Sequence, residues 1–348
     1  MKKQLVSGLL VAALCGVYTT HNLSQATAAV TATATADAQT TKVLAAANAF
    51  LGTLSAAQKK AVSFAWTDSA QRARWSNFPT GIVQRTGLRW GDLSATQRTA
   101  LMKLLAAVLS ADGLKMVQQQ MDADEVLKNT ERAGRLVFGS AEYYVSFLGS
   151  PSTTSPWTLQ FGGHHLALNA TVVGSNITLA PSLTGGQPVK YTLNGKAVYV
   201  VEKEVKDAFA MVNGLTAAQR GKAVISTQSI DLVLGPGQDG KTLQAEGLPG
   251  SAMTAAQKTQ FLALIKDRLG ALNANDLAEK MTAIQKNLDK TYFAWYGPTT
   301  TGSAAYYRIT GPTVLIEFSP QSMGGDATNH IHSMYRDPTN DYGAAWTK

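Results

Sequence analysis

Four histidines of this sequence fall into two close pairs. His164 and His165 are adjacent in "FGGHHLALN", and His330 and His332 are two residues apart in "NHIHSMYRDP". The remaining histidine, His21, lies near the amino terminus. Histidine is a common metal ligand and a frequent general acid or base near neutral pH. The pairing therefore indicates a site to which both segments contribute.

The spacing within each pair limits how many imidazoles can reach one ion. Successive side chains of a strand point to opposite faces, so His330 and His332 share a face. Adjacent His164 and His165 cannot both do so from a regular strand, although a bulge at the two preceding glycines could reorient one of them. We favour His165 as the third ligand because its strand face carries the polar Asn169, whereas that of His164 carries leucines.

Three histidines and an open position predict one bound transition metal ion. Catalytic zinc sites have three protein ligands and a water, and imidazole also binds copper and iron. Zinc would imply hydrolysis, whereas copper or iron would imply oxidation, and the sequence does not choose between them. No other cofactor is expected. Two alternatives stay open: acid/base catalysis by the histidines without a metal, and a non-catalytic extracytoplasmic protein that binds a ligand.

Four charged residues complete the predicted site. Glu317, in the apolar run "TVLIEF", could be a fourth ligand or the base that activates a metal-bound water, or simply a strand residue facing solvent. Asp337 or Asp341 could hold a ligand histidine in place through its second nitrogen. Arg336 could bind an anionic group of a small-molecule substrate. Turns would also explain much of this segment.

The charge of the chain favours anionic partners other than nucleic acid. There are 31 basic and 23 acidic residues, a formal net charge of +8, without a concentrated basic stripe. A nucleic-acid site would need such a stripe together with stacking aromatics. In "RARWSNFP", Arg72, Arg74 and Trp75 could form a substrate wall, or an ordinary loop.

A short helix-start motif recurs four times and indicates an internal duplication. The copies are "LSAAQK", "LSATQR", "LTAAQR" and "MTAAQK", beginning at Leu54, Leu93, Leu215 and Met253. Each has the Ser/Thr and Gln spacing of a capping box. Because each pair of copies precedes an aromatic strand, a turn region and two further strands, the sequence predicts an α+β protein of two similar halves. Each half has helices leading into antiparallel strands, in sheets that can join into one.

The amino-terminal segments are typical of an exported protein. Residues 1–28 are predicted to be a signal peptide and residues 29–41 a low-complexity tether, so the protein is expected to be secreted or periplasmic. The halves would then cover residues 42–186 and 187–348. Cys15 is the single cysteine of the chain, so no disulfide framework is expected. No later apolar run is long enough for a transmembrane helix.

One familiar motif is rejected. The segment "GPGQDGKT", Gly235 to Thr242, matches the phosphate-binding loop pattern. That loop needs a helix to begin at the lysine, so that the helix amides and dipole face the phosphates. The following "LQAEGLPGS" contains two glycines and a proline and does not favour a helix. A glycine-rich connection is the better interpretation.

Several long motifs resemble one known family. They are "RWSNFP", "PWTLQFGGHHLALN", "GPGQDG", "YYRITGPTVLIEF" and "NHIHSMYRDPTNDYG". The sequence resembles the secreted domain-of-unknown-function family numbered 3500 over nearly its whole length after the leader. The resemblance implies no activity. It does imply that "GPGQDG" belongs to the pattern of this family and not to a nucleotide fold.

Overall fold

Runs of helices and runs of strands follow one another twice along the chain. The computed structural model describes residues 35–130, 136–323 and 325–347. The helices in these residues are α1 (Ala38–Gly52), α2 (Ala56–Val62), α3 (Ser69–Arg72), α4 (Ala95–Val108), α5 (Ala111–Thr130), α6 (Glu202–Asn213), α7 (Ala217–Ala223), α8 (Ala255–Leu269) and α9 (Ala274–Lys286). The strands are β1 (Ser63–Phe64), β2 (Leu88–Arg89), β3 (Tyr144–Leu148), β4 (Trp157–Gly163), β5 (Leu166–Val173), β6 (Asn176–Thr178), β7 (Ser182–Gly186), β8 (Lys190–Leu193), β9 (Lys196–Tyr199), β10 (Val224–Ser226), β11 (Leu248–Pro249), β12 (Tyr292–Tyr296), β13 (Tyr306–Gly311), β14 (Val314–Pro320) and β15 (Ile331–Arg336). The predicted α+β class is confirmed.

Thirteen of the described strands form one mixed sheet, and β8 and β9 form a separate hairpin. The order along the sheet is β1-β3-β4-β5-β7-β15-β14-β13-β12-β10, with β2, β6 and β11 pairing beside this path. The strands of the first and second halves meet where β7 pairs antiparallel with β15. The two groups of strands therefore join into one sheet, as the sequence allowed.

The two sides of the sheet are built from corresponding pairings. β1 runs parallel to β3, and β10 runs parallel to β12. β2 is antiparallel to β3, and β11 is antiparallel to β12. An internal duplication with a boundary after Gly186 would produce this correspondence, and that origin stays a prediction.

The four recurring motifs begin helices by capping boxes, as predicted. In each, a Ser or Thr side chain accepts a hydrogen bond from the Gln backbone, and the Gln side chain bonds back to the cap. The glutamines also join neighbouring helices, because Gln97 Nε2 lies 3.0 Å from Gln58 Oε1 and Gln257 Nε2 lies 2.9 Å from Gln219 Oε1. Each cap thereby links two helix starts about 40 residues apart in the chain.

The first helix begins earlier than the predicted tether boundary. Asp37 caps α1 through a capping box with Thr40, and Thr40 is buried. Residues 38–41 therefore belong to α1 and not to the predicted tether, because the polar Asp37 and Thr40 form its cap. The predicted signal peptide, residues 1–28, and the first part of the tether lie outside the described residues. No described helix has the length and apolar character needed to cross a membrane.

Helices cover one face of the sheet, and two long connections cover the other. On the helical face, α1 and α4 pack on the first-half strands, and α6 and α8 pack on the second-half strands. The connections are residues 65–87 and 227–247. Trp75 from the first and Leu232 from the second contact a small cluster of Ala167, Leu183 and Met334 on the sheet. Because His332 is two residues before Met334 in β15, the histidine segment faces these connections.

Candidate metal site

The adjacent histidines form the turn between β4 and β5. Gly163 pairs with Leu166, so His164 and His165 are the two turn residues, and His165 has a positive φ of 60°. The sequence analysis placed His165 on a strand face, which is wrong, because a tight two-residue turn requires positive φ. Gly162 and Gly163 keep regular strand pairing, so the bulge that could have reoriented a histidine does not form there. Gly162 stays in β4, where a Cβ atom would lie 2.3 Å from the Leu166 carbonyl oxygen. The turn frees both imidazoles from the alternation of a strand.

Three histidines converge at the end of this turn. Ligand nitrogens of His165, His330 and His332 all lie within 4.8 Å of one another, and all three residues are buried. The Nε2 atoms of His165 and His330 are 2.8 Å apart. His330 and His332 share one face of the sheet, as predicted, while Ile331 between them belongs to the helical-face core. The structure thus brings together the three histidines chosen from the sequence as ligands.

One of the three is held in the tautomer that a metal ligand needs. His330 Nδ1 lies 2.6 Å from the Met323 carbonyl oxygen. A carbonyl oxygen can only accept, so Nδ1 carries the proton and Nε2 presents its lone pair to His165. Metal-binding histidines almost always donate their second nitrogen to such an acceptor. The backbone of Met323 therefore orients His330 toward the centre of the cluster.

The cluster holds its imidazoles in the neutral form. Burial, followed by the charges of the neighbouring histidines, lowers the pKa of His165 and His332 well below the usual value. Burial also lowers the pKa of His330, although to a smaller extent. Asn77 packs on the edge of the site, with Nδ2 lying 3.3 Å from His332 Nε2 and its carbonyl accepting from the His165 backbone. Neutral imidazole is the form that binds a metal ion.

The fourth histidine pairs with a carboxylate that the sequence analysis missed. His164 Nδ1 lies 2.7 Å from Asp124 Oδ1, and both side chains are buried. The other oxygen of Asp124 accepts from the Gly139 backbone at 2.9 Å, and Tyr143 donates to the His164 carbonyl. The ring centroids of His164 and His165 are 3.8 Å apart, so this pair adjoins the three-histidine cluster. Asp124 follows the buried Gln120 and Met121 on the inner face of α5, a position unusual for a carboxylate and the only signal in the sequence.

Glu317 lies in the sheet with its hydrogen bonds directed elsewhere. It is fully buried, and its carboxylate accepts from the backbone of Val233 and Leu234 and from the Tyr306 hydroxyl, each at 2.8 Å. It does not belong to the group of described residues whose atoms could share one ion. The solvent-facing alternative is also wrong, because Glu317 anchors the connection of residues 227–247 to β14.

The other predicted charged residues hold the carboxy-terminal segment and its neighbours. Arg336 forms ion pairs with Asp239 and Asp341 and donates to the carbonyls of Leu234 and Gly235. Its guanidinium is thus occupied by protein groups and is buried. Asp341 also accepts from the Asp337 backbone, and burial raises the pKa of Asp341 to about 6.

Asp337 is likewise turned away from the histidines. Its carboxylate pairs with Lys280 and accepts from Thr339. The carboxylate that contacts a histidine is Asp124, and neither Asp337 nor Asp341 has this role. Gly235 to Thr242 contains turns and no helix, in agreement with the rejection of a phosphate-binding loop.

Comparison with known proteins places the whole described fold in one family. No curated protein and no solved structure matches the chain. The family model described as "Protein of unknown function (DUF3500)" matches residues 36–344, which include α1, the histidine cluster and the carboxy-terminal segment. The resemblance carried by the long motifs is confirmed, and the chain belongs to this family.

Proposed function

We propose that the protein is a metal-dependent enzyme that binds one transition metal ion through His165, His330 and His332. The observation that carries this proposal is the convergence of three buried imidazoles from two segments 165 residues apart, with two Nε2 atoms 2.8 Å from each other. His330 Nε2 carries no proton. The proton of His165 Nε2, or another cation, must therefore lie between these two nitrogen atoms. A metal ion would take the place of that proton and bind all three nitrogens.

The dimensions suit such an ion. Zinc binds histidine nitrogen at about 2.0–2.1 Å, which in a tetrahedral site separates the nitrogens by about 3.3 Å. The nitrogens of the cluster lie between 2.8 Å and 4.8 Å apart, on either side of this value. Small side-chain rotations would therefore complete three of four tetrahedral positions. The fourth would remain for water or substrate, as in catalytic sites.

The pair of His164 and Asp124 favours hydrolysis over oxidation. With Nδ1 donating to the carboxylate, His164 would have Nε2 free to accept a proton from a water held at the site, and Asp124 would stabilise the resulting positive charge. Zinc lowers the pKa of its water to about 7, which makes such a transfer favourable. A hydrolytic site needs this proton acceptor, whereas a redox site depends first on the identity of the metal.

Metal analysis of four proteins tests the ligand set. We expect inductively coupled plasma mass spectrometry to find about one equivalent of metal in the untagged wild type. The metal should be absent from His330→Ala/His332→Ala and from His165→Gly, in which glycine keeps the positive φ of the turn. His164→Asn is the matched control, because its amide can still donate to Asp124 while the three ligands remain. This variant should keep the metal and lose hydrolysis of p-nitrophenyl acetate.

Circular dichroism and thermal unfolding of each variant show whether the fold is kept. Absence of zinc, copper and iron from folded wild type, even after incubation with each ion, would refute the metal site. The histidines would then serve acid/base catalysis without a metal, or ligand binding. Copper or iron in place of zinc would contradict the hydrolytic assignment and leave oxidation.

A further inference from the structure

A cavity lies beside the histidine site, between the connection of residues 65–87 and strands β4 and β5. It is small and open to solvent, with a cavity volume of about 30 Å³. Two arginines and several uncharged hydrogen-bonding groups line it, and no carboxylate does among the described residues. The polar lining includes Gln71, Arg74, Ser76, Arg85, Thr86 and Gln160. The cavity is therefore positive and rich in donors.

Arg85 is a largely buried cation that forms no direct ion pair with any described residue. One terminal nitrogen donates to the carbonyls of Ser76, Phe78 and Gly163 at 2.7, 2.6 and 2.9 Å, and the other donates to the Val83 carbonyl at 3.3 Å. Burial lowers the pKa of Arg85 more than the surrounding charges, among them Asp124 and Glu142, raise it. Burial of this cation is thus only partly compensated, and an anion in the cavity would offset the remaining cost.

The rest of the lining is already arranged for a ligand. The exposed Arg74 forms no side-chain hydrogen bond or ion pair with any described residue, so its guanidinium is available. Behind it, Gln71 Nε2 donates to Gln160 Oε1 at 3.0 Å, and Gln160 Nε2 donates to Asn169 Oδ1 at 2.9 Å. This amide chain fixes the polar wall before any ligand binds, which reduces the entropic cost of binding.

The second half of the sheet has an ion pair at the position that corresponds to this polar wall. There, the connection that ends at Gly247 brings Glu246 against Arg308 of β13 and the hydroxyl of Tyr296. The corresponding connection of the first half ends at Gly87, which approaches β3 as Gly247 approaches β12. Thr86 precedes Gly87, where Glu246 precedes Gly247. Arg308 and Gln160 each lie three residues before the end of their strands, so the first half has the neutral Gln160 and Thr86 in place of the pair Arg308 and Glu246. The cavity arginines meet no carboxylate among its described lining residues.

The cavity and the histidine cluster share their walls. Ser76 lines the cavity, and the next residue, Asn77, contacts His332 and the His165 backbone. Arg85 binds the Gly163 carbonyl, which immediately precedes the two histidines of the turn. We propose that this cavity binds an oxyanion group, a carboxylate or a phosphate, of the substrate that reacts at the histidine site. That the anion belongs to a substrate reacting at the histidine site rests on the proposed function, whereas anion binding itself does not.

Calorimetric titration of metal-free protein tests the anion site without interference from a metal. Inorganic phosphate and malonate, at constant ionic strength, represent the two oxyanions, and the stronger binder identifies the class. We expect Arg74→Gln to weaken binding about fivefold, the size of one exposed ion pair. Arg85→Lys should weaken it about tenfold or more, because lysine loses the planar fork. Lys59→Gln, which removes an exposed charge outside the cavity, should bind like the wild type.

The outcomes separate this inference from the metal proposal. Failure of both anions to bind the wild type, or equal binding by Arg74→Gln and the wild type, would overturn the anion site. Metal content, measured on separate preparations of the same proteins from which no metal has been removed, should be equal in the wild type, Arg74→Gln and Lys59→Gln. If the anion binds through Arg74 but no variant or wild type takes up metal, the proposed function fails and the anion site stands. If metal binds and neither anion does, the anion site fails and the proposed metal site stands.

Discussion

Replacing Glu317 by glutamine separates a structural role of this buried carboxylate from a role at the metal. In the wild type, Oε1 accepts from the Val233 backbone and the Tyr306 hydroxyl, and Oε2 accepts from the Leu234 backbone. The carboxylate has no exposed surface, so water cannot replace a lost partner. We expect the substitution to lower the free energy of unfolding while the metal content stays unchanged.

The magnitude follows from the three hydrogen bonds. Glutamine keeps one acceptor oxygen, which can serve two of the donors. Its amide group must then face the third donor, so that two buried N–H groups lack acceptors. Each unsatisfied buried donor costs about 1–3 kcal/mol, and the two remaining bonds lose their charge assistance. We therefore expect a loss of about 3 kcal/mol, which for a domain of this size corresponds to a melting temperature lower by roughly 5 °C.

Urea unfolding and metal analysis of the same preparations check this prediction. Glu279→Gln removes a carboxylate from the exposed face of α9 and should unfold at the wild-type midpoint. A Glu317→Gln protein with wild-type stability that has lost its metal would refute the reasoning, because Glu317 would then be a ligand or a metal-positioning group. Loss of stability without loss of metal supports its role as the anchor of residues 227–247.

Two further substitutions test the electrostatics and the backbone. Burial raises the pKa of Asp341 to about 6, above the unfolded value of about 3.9, so the folded state favours the neutral acid. The contribution of the Asp341 carboxyl group to the free energy of unfolding is complete below pH 4 and is lost as the pH rises through 6. Between pH 4 and pH 7 the wild type should therefore lose on the order of 1–2 kcal/mol relative to Asp341→Asn, and parallel urea-unfolding curves would contradict this. Gly185→Ala should cost several kcal/mol in thermal unfolding, because its Cβ would lie 2.0 Å from the Ile331 carbonyl oxygen, and should displace β15 and lower metal content. Gly195→Ala, also at positive φ but in open space, should cost only about 1 kcal/mol, and equal losses would show that the close approach at Gly185 is unimportant.

Local signals were sufficient to predict the helix starts, most strands and the three histidines that converge. The capping boxes depend on residues three apart, and the shared face of His330 and His332 depends on residues two apart. The geometry of such patterns is set by residues that are close in the sequence, so it does not depend on the tertiary fold. The α+β class follows from them, because the order of helices and strands can be read without knowing how the strands pair.

Partners that come from distant connections could not be predicted in this way. Glu317 and Arg336 have types suited to catalysis, but residues 227–247 occupy both of them. Asp124 lies 40 residues before His164, and only the path of α5 across the turn between β4 and β5 brings them together. The identity of a side chain indicates which chemistry it can do. The tertiary path of the chain decides which partner takes up its hydrogen-bonding capacity.

At the position of the histidine cluster, the proposed metal binding would be coupled to the joining of the two halves. His165 lies in the hairpin turn of the first half and His332 in the strand through which the second half pairs with β7. An ion bound by both would connect these segments beside the central strand pair, where Gly185 opposite His332 permits the close approach. A ligand that binds only the folded state stabilises it by about 1.4 kcal/mol for each tenfold excess over its dissociation constant. The same three histidines would thus supply both the reactive centre and a clamp between the halves, so that loss of metal would remove stability as well as activity.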